Sequence, residues 1–233
     1  MIDSDPVLDL PAPPSAATTV FGDHLPAITR YAELLATAGV ERGLIGPREA
    51  PRLWERHLLN SAGLLELLDE GSSVADLGSG AGLPGLVLAI ARPDLTVILI
   101  EALLRRATFL EEAKELLGLR NVVVRRSRGE ELHGRLEVDV VVARAVAPLD
   151  RLAGWALPLL RPGGRLLALK GDRADDELAV AAPMLPRAGA VSSEVVVVGD
   201  PALFTDGRVV VITRTSGTLP GTKPGRDTTR RRA

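Results

Sequence analysis

The 233-residue sequence contains no cysteine, which excludes a disulfide framework, a thiol nucleophile, an iron–sulfur cluster and a cysteine-ligated zinc site. Its three histidines lie far apart and none belongs to an H-E-x-x-H pattern, so we expect no metal site. No apolar run reaches the roughly 18 residues that a membrane span needs. Aromatic residues make up only 3% of the chain, so few side chains are available to stack on a ligand.

The two termini differ from the rest of the chain in charge and composition. Residues 1–19 contain three aspartates, four prolines and no lysine or arginine, unlike a signal peptide, and we expect a disordered leader there. Residues 215–233 carry five basic residues against one aspartate and are predicted to form a basic, disordered tail. The formal net charge of −2 and the 46% hydrophobic content of the whole chain predict a soluble, cytoplasmic protein with a sizeable core.

Hydrophobic spacing divides the middle of the chain into two regions. Apolar residues at helical intervals predict helices over 23–38 and 51–68, so residues 20–70 are expected to form an N-terminal helical extension. Residues 71–214 alternate strands with helices. The strands are expected over 73–77, 96–100, 122–125, 138–143, 165–170, 191–198 and 208–214, and the helices over 84–91, 103–117, 149–160 and 175–184. This order predicts a Rossmann-like α/β domain, a seven-stranded, mostly parallel sheet with helices on both faces and an antiparallel ending.

The strongest motif reads DLGSGAGLPG over residues 76–85, between the first predicted strand and the next helix. Three alternating glycines, Gly78, Gly80 and Gly82, allow the backbone to approach a ligand where the strand ends. Part of the motif matches G-x-G-x-x-G, and Glu101 ends the next strand 19 residues after Gly82. A dinucleotide-binding oxidoreductase is therefore one possible interpretation.

Asp76 favours a different cofactor, because a carboxylate beside the first glycine would repel the pyrophosphate of a dinucleotide. S-adenosylmethionine has no phosphate and carries an ammonium and a sulfonium, which suit that carboxylate. Glu101 can accept hydrogen bonds from both ribose hydroxyls of either cofactor. The two acidic residues together favour S-adenosylmethionine over NAD. Their occurrence together with the glycine loop disfavours the alternative in which they merely cap helices.

Several further segments resemble the RsmG (GidB) family of methyltransferases. LWERHLLNS at 53–61 resembles that family's L-W-x-R-H-I-L-D-S, and the glycine motif is similar to its D-L-G-S-G-A-G-L-P-G. RRATFL at 105–110, RGE at 128–130, ARA at 143–145 and LKG at 169–171 resemble its later motifs in the same order. The resemblance covers about residues 25–215 and departs from the family at Asn60, where an aspartate is usual.

This resemblance implies a class I, S-adenosylmethionine-dependent enzyme that methylates N7 of one guanosine in the decoding-region loop of 16S rRNA. It implies 16S rRNA or the small ribosomal subunit as partner, and we expect a monomer. The cofactor contacts that it implies are Gly78, Leu83, Gly129, Glu130 and Arg144. The glycine motif and its spacing add Asp76, Gly80, Gly82 and Glu101, which complete the candidate cofactor site.

Guanine N7 carries a lone pair and no proton, so its methylation needs no general base, and the sequence has no obvious catalytic dyad near the glycine loop. We hypothesise that Arg144 positions the base or the cofactor carboxylate and that Arg128 contacts RNA; these are the two candidate catalytic residues. Candidate phosphate contacts are Arg52, Arg56, Arg105, Arg106, Arg125 and Arg126. A methyltransferase acting on a small molecule or a protein, and a non-catalytic RNA-binding or nucleotide-sensing module, remain as alternatives.

Overall fold

A computed structural model describes residues 10–217 and contains one seven-stranded sheet. The strands are β1 (Ser73–Leu77), β2 (Thr96–Ile100), β3 (Val122–Arg125), β4 (Val138–Arg144), β5 (Leu160–Leu169), β6 (Ala190–Val198) and β7 (Gly207–Arg214). They lie in the order β3-β2-β1-β4-β5-β7-β6. The first five are parallel, whereas β7 is antiparallel to both β5 and β6. This confirms the predicted sheet and its antiparallel ending.

Helices cover both faces of the sheet, and its strands carry apolar residues on both sides because both sides are buried. They are α1 (Ser15–Phe21), α2 (Leu25–Leu34), α3 (Asn60–Ala62), α4 (Gly85–Ala91), α5 (Leu104–Leu117), α6 (Leu149–Ala156), α7 (Ala174–Ala181) and α8 (Leu185–Ala188). Alternate residues of a strand face opposite layers. Val74 of β1 packs with the N-terminal segment, α4 and α5, while Ala75 packs with α6, α7 and α8.

The N-terminal region departs from the expected disordered leader. Helix α1 occupies residues 15–21, and Ala16, Ala17 and Phe21 are buried in the same apolar layer as α2, α4 and α5. These small residues therefore pack against the domain, and the expectation of a disordered leader is wrong for residues 15–19. Residues 1–9 of the leader and 218–233 of the predicted tail lie outside the described residues.

The second predicted helix, 51–68, is broken into short irregular turns. A 3₁₀ segment (Pro47–Arg52) leads into a π-helical segment (Leu53–Leu59), then α3 and a second 3₁₀ segment (Gly63–Leu67). A Cβ at Gly63 would collide with the carbonyl oxygen of Thr205, so this part of the chain lies in direct contact with the segment before β7. The region is thus shaped by packing against the sheet, with which it shares one core. No helix within residues 10–217 is long and apolar enough to cross a bilayer.

Candidate active site

The candidate site lies at the carboxyl edge of the sheet, where the strand order reverses between β1 and β4. The glycine loop begins at the end of β1 and is tied to the end of β2. The N–H groups of Gly78 and Ser79 both donate to the carbonyl oxygen of Ile100, at 2.9 and 3.1 Å. The N–H of Gly80 donates to Oε2 of Glu101 at 3.0 Å. The structure therefore brings the predicted loop and the predicted ribose acceptor together.

The glycines of this loop have two different functions. A Cβ at Gly82 would collide with Leu86, and one at Gly85 would lie 2.6 Å from Oδ2 of Asp76, so the protein itself fills both spaces. Gly80, at a φ of +58°, faces open space, because the nearest atom to its Cβ position is a carbonyl oxygen 3.8 Å away. Of these three, Gly80 is the glycine whose open side leaves room for a ligand.

Asp76 is buried, with 1% of its surface exposed. Its Oδ2 accepts the N–H of Gly85, the first residue of α4, at 3.0 Å. Its Oδ1 has no hydrogen-bond partner among residues 10–217. Burial raises the pKa of this carboxyl to about 7, so its charge changes near neutral pH.

Glu101 is also nearly buried, and it braces the start of the next helix. Its Oε1 accepts the N–H of Leu103 at 2.9 Å, just before α5, and its Oε2 accepts the N–H of Gly80. Arg106 Nη1 lies 3.8 Å from Oε2. Both carboxylates thus cap helix starts, the role that the sequence interpretation disfavoured, although each oxygen retains a second lone pair for a ligand.

The remaining predicted cofactor residues occupy different environments. Gly129 is buried after β3, and a Cβ there would lie 2.8 Å from Leu77 at the end of β1, so the turn closes over that strand end. Glu130, next to it, is exposed, and Leu83 packs against the apolar core. Arg128 is exposed at the carboxyl end of β3, separated from β4 by two strands.

Arg144 ends β4 and points to the same sheet face as Asp76, toward the N-terminal extension. Its Nη2 donates to Nδ1 of His57 at 2.7 Å and to the carbonyl oxygen of Arg56 at 3.1 Å. Its Nη1 makes longer contacts, 3.4 Å to Ser61 Oγ and 3.5 Å to the His57 carbonyl. His57 Nε2 in turn lies 2.8 Å from Oε2 of Glu49. Sequence reasoning missed both contacts. The contact between Arg144 and His57 spans 87 positions. Glu49 is only eight positions from His57, but the two residues are brought together by the irregular turns of this segment, which the sequence did not predict.

Burial and the neighbouring charges together favour the neutral form of His57. Burial lowers its pKa, and the nearby Arg144 guanidinium lowers it further, although the hydrogen bond to Glu49 opposes both effects. That hydrogen bond is also the main cause of the lowered pKa of Glu49. A neutral imidazole between an arginine and a carboxylate is the arrangement that these directions favour.

A cleft of about 1110 Å³ opens beside Arg144, at the carboxyl ends of β4 and β5 and the start of β7. Its lining combines arginines, among them Arg52 and Arg56, with exposed apolar side chains and several carboxylates. No residue of the glycine loop lines it. Val146 does, and its side chain also lies 3.0 Å from the position that a Cβ on Gly78 would take. The segment after β4 therefore separates the glycine loop from the cleft.

Lys170, after β5, holds that separating segment in place. Its Nζ donates to the carbonyl oxygen of Ala147 at 2.9 Å and lies 2.7 Å from Oε2 of Glu177 on α7. Ala145, between Arg144 and Val146, has a left-handed backbone with a φ of +55°. Within the described part of the chain, no cluster of three His, Asp or Glu side chains is arranged to hold a metal ion.

Tyr31 of α2 is a further site residue that the sequence analysis missed. It is fully buried, and its hydroxyl donates to the carbonyl oxygen of Ala81, inside the glycine loop, at 2.8 Å. The N-terminal extension therefore braces the loop directly. An aromatic residue among apolar residues at helical spacing gave no signal of this contact.

Strand order, antiparallel ending and glycine loop define a class I methyltransferase fold. Solved structures agree on the fold. A methyltransferase from Pyrococcus furiosus has a TM-score of 0.51 at 17% identity, covering 66% of this chain and 80% of that chain. A ribosomal protein L11 methylase from Lactobacillus delbrueckii subsp. bulgaricus gives 0.51 at 18% identity, covering 67% and 77%.

Sequence comparison narrows the class to one family. The model of the GidB family, described as rRNA small subunit methyltransferase G, matches residues 24–203. A ribosomal RNA small subunit methyltransferase G from Thermobifida fusca is 58% identical over 211 residues, which cover 91% of this chain and 89% of that protein. One from Streptomyces avermitilis is 60% identical over 193 residues, covering 82% and 81%. The chain belongs to the rRNA small subunit methyltransferase G family, as its motifs predicted.

Proposed function

We propose that the protein transfers a methyl group from S-adenosylmethionine to N7 of a guanosine in the decoding-region loop of 16S rRNA. The observation that carries this proposal is the adjacency of two spaces at one sheet edge. The glycine loop with Asp76 and Glu101 lies on one side of the segment after β4, and the cleft of about 1110 Å³ lies on the other. Arg144 stands at the boundary between a cofactor half and an acceptor half.

The residues on the loop side fit the cofactor. The open side of Gly80 offers space, and the free lone pairs of Glu101 can accept from ribose hydroxyls. The unpartnered Oδ1 of Asp76 suits a cationic donor. When bound there, S-adenosylmethionine supplies an electrophilic methyl group on its sulfonium. Gly78, Leu83, Gly129 and Glu130 belong to the proposed contacts on the family resemblance, and Gly82 belongs to them on the glycine motif.

The residues on the cleft side have to orient the acceptor and exclude water, because N7 needs no proton removed. Two contacts of Arg144, those of Nη2, are short, whereas Nη1 is held only at 3.4–3.5 Å. We therefore assign Nη1 and Nε to the guanine O6, in preference to the cofactor contact that the family resemblance implies for Arg144. The N-terminal extension already occupies the other nitrogen, Nη2.

Phosphate contacts belong to the arginine-lined part of the cleft. Arg52 and Arg56 are exposed there. The carboxylates elsewhere in the lining disfavour phosphate, so we place the RNA backbone along the N-terminal extension and the target base toward Arg144. Arg128 lies outside this cleft, and its contact with RNA is kept as a separate part of the proposal. The proposal also includes that the protein is a monomer and is located in the cytoplasm.

The test uses the full chain with methyl-labelled S-adenosylmethionine, undermethylated small ribosomal subunits and deproteinised 16S rRNA. We expect the label in 16S rRNA, chemically located as N7-methylguanosine, with the better substrate identifying the form that is recognised. Tight cofactor binding without transfer to either RNA substrate, together with labelling of low-molecular-weight compounds, would contradict the proposed acceptor.

A further inference from the structure

Phe204 differs from the other aromatic residues of the chain in its exposure. Phe21, Tyr31, Trp54 and Phe109 are buried. Trp155 is half-buried, with the Arg151 guanidinium 5.4 Å from its ring centre. Phe204 exposes 42% of its surface and lines the cleft beside Arg144.

The backbone of Phe204 is unusual as well. Its φ of +56° is left-handed, a conformation that costs free energy for a residue with a Cβ. Among residues 10–217, two residues other than glycine have such a backbone, Ala145 and Phe204, and both line this one cleft. Strained residues of this kind cluster at functional sites, where the surrounding structure holds them in place.

The turn that carries Phe204 is strongly constrained. Asp200 Oδ1 accepts the N–H of Ala202 at 2.8 Å, and the Asp200 N–H donates to Thr205 Oγ1 at 2.8 Å. Glycines at 63 and 199 leave just enough room for the Thr205 carbonyl, since a Cβ at either position would collide with it. The constrained turn therefore holds the ring at the cleft. The turn does not require phenylalanine, because asparagine tolerates a left-handed backbone better.

We propose that the Phe204 ring is a platform on which an unpaired base of the RNA substrate stacks. The inference rests on the proposed function, because it takes RNA as the acceptor. An exposed aromatic ring beside cationic side chains is the combination with which proteins hold unpaired bases. Arg52 lines the same cleft on the N-terminal extension and forms no ion pair within the described residues, so it is available to phosphate. The cleft also exceeds the volume that one small ligand usually fills.

The experiment compares Phe204→Asn, Phe204→Leu and Phe204→Trp in the full chain. Asparagine tolerates the left-handed backbone, so we expect the thermal stability of Phe204→Asn to be unchanged or higher. Loss of one stacked base raises the KM for deproteinised 16S rRNA about 5- to 150-fold. We expect this rise for Phe204→Asn, a smaller one for Phe204→Leu, and wild-type KM for Phe204→Trp. Cofactor affinity, measured by calorimetry, stays unchanged in all three.

Leu116→Asn is the matched control, because Leu116 is similarly exposed at 48% but lies on α5, outside the cleft. An unchanged KM in Phe204→Asn would overturn the inference, as would a Phe204→Trp variant as impaired as Phe204→Asn. A rise in KM for assembled subunits but not for deproteinised rRNA would also overturn it, by assigning the ring to a ribosomal protein. Absence of transfer by the wild-type chain would count against the proposed function instead.

Discussion

Hydrogen bonding at Arg144 defines the tautomer of His57. A guanidinium only donates, so Nδ1 of His57, 2.7 Å from Arg144 Nη2, has to accept. The ring proton therefore lies on Nε2 and is donated to Oε2 of Glu49, 2.8 Å away. Glu49 fixes the imidazole, and the imidazole fixes Arg144. His57 and Glu49 are thus positioning residues for the arginine at the boundary of the two half-sites.

Two substitutions of His57 test its contact with Arg144 and its contact with Glu49 separately. The side-chain oxygen of asparagine lies at the level of Nδ1, so His57→Asn can keep an acceptor for Arg144. The amide of glutamine lies at the level of Nε2, so His57→Gln keeps the contact with Glu49 and loses the acceptor. A hydrogen bond to a charged group contributes about 1.5–3 kcal/mol. If the whole contribution orients Arg144, the turnover of His57→Gln falls about 10- to 150-fold.

The assay is single-turnover methyl transfer to small ribosomal subunits, with cofactor affinity measured by calorimetry on the same preparations. We predict near wild-type transfer for His57→Asn, a large loss for His57→Gln and an unchanged cofactor affinity in both. Equal activity of the two variants, or loss in His57→Asn alone, would refute the reasoning. Thermal melting of both variants checks that neither result reflects unfolding.

Three further predictions concern the glycine loop. Tyr31→Phe leaves the buried Ala81 carbonyl without its donor, which costs about 1–3 kcal/mol of stability. We expect Tm to fall by about 2–4 °C for each kcal/mol. An unchanged Tm would contradict the bracing role. Gly82→Ala should lower Tm strongly because its Cβ collides, whereas Gly80→Ala should mainly weaken cofactor binding; calorimetry and melting distinguish them. The pKa of Asp76 is raised to about 7, and a cationic ligand favours its ionised form, so cofactor affinity should rise about tenfold between pH 6 and pH 8. Asp76→Asn should abolish this dependence, and a pH-independent wild-type affinity would contradict it.

The same shift in pKa sets the direction of one stability effect. Asp76 holds its proton more tightly in the folded state than in the unfolded chain, whose carboxyl has a pKa of 3.8. The folded state therefore binds more protons between pH 3.8 and about 7, and this group's contribution to stability is lost as the pH rises through that window. The ionised Asp76 carboxylate therefore lowers the stability of the folded state above neutral pH, and groups with a pKa perturbed in this way are common at functional sites.

Local patterns were sufficient to predict the sheet and the position of the glycine loop. Alternating strands and helices and the spacing from Asp76 to Glu101 depend on residues close in sequence, and the structure places both carboxylates at neighbouring strand ends. The helix at residues 15–21 was missed because its alanines carry a weak local signal and are buried only by distant partners. The irregular path of residues 47–67 was missed because it too depends on packing against distant parts of the chain.

The boundary between the half-sites is a long-range feature. His57 and Arg144 are 87 positions apart, and Asn60 reaches the Asp206 carbonyl across 146. No periodicity or motif in one sequence encodes such contacts. Strand alternation does give one indication, because Arg144 follows Val140 and Val142 on the face that packs with the N-terminal extension. The strained backbone of Phe204 has no counterpart in the sequence.

The most direct test of the central claim, that Arg144 serves the acceptor half of the site, is a paired measurement on Arg144→Ala. Cofactor affinity is determined by calorimetry, and methyl transfer to undermethylated small subunits is measured on the same preparation. Positioning of the acceptor base predicts wild-type cofactor affinity with transfer reduced by orders of magnitude. Cofactor affinity that falls in parallel with transfer would contradict the claim and move Arg144 into the cofactor half.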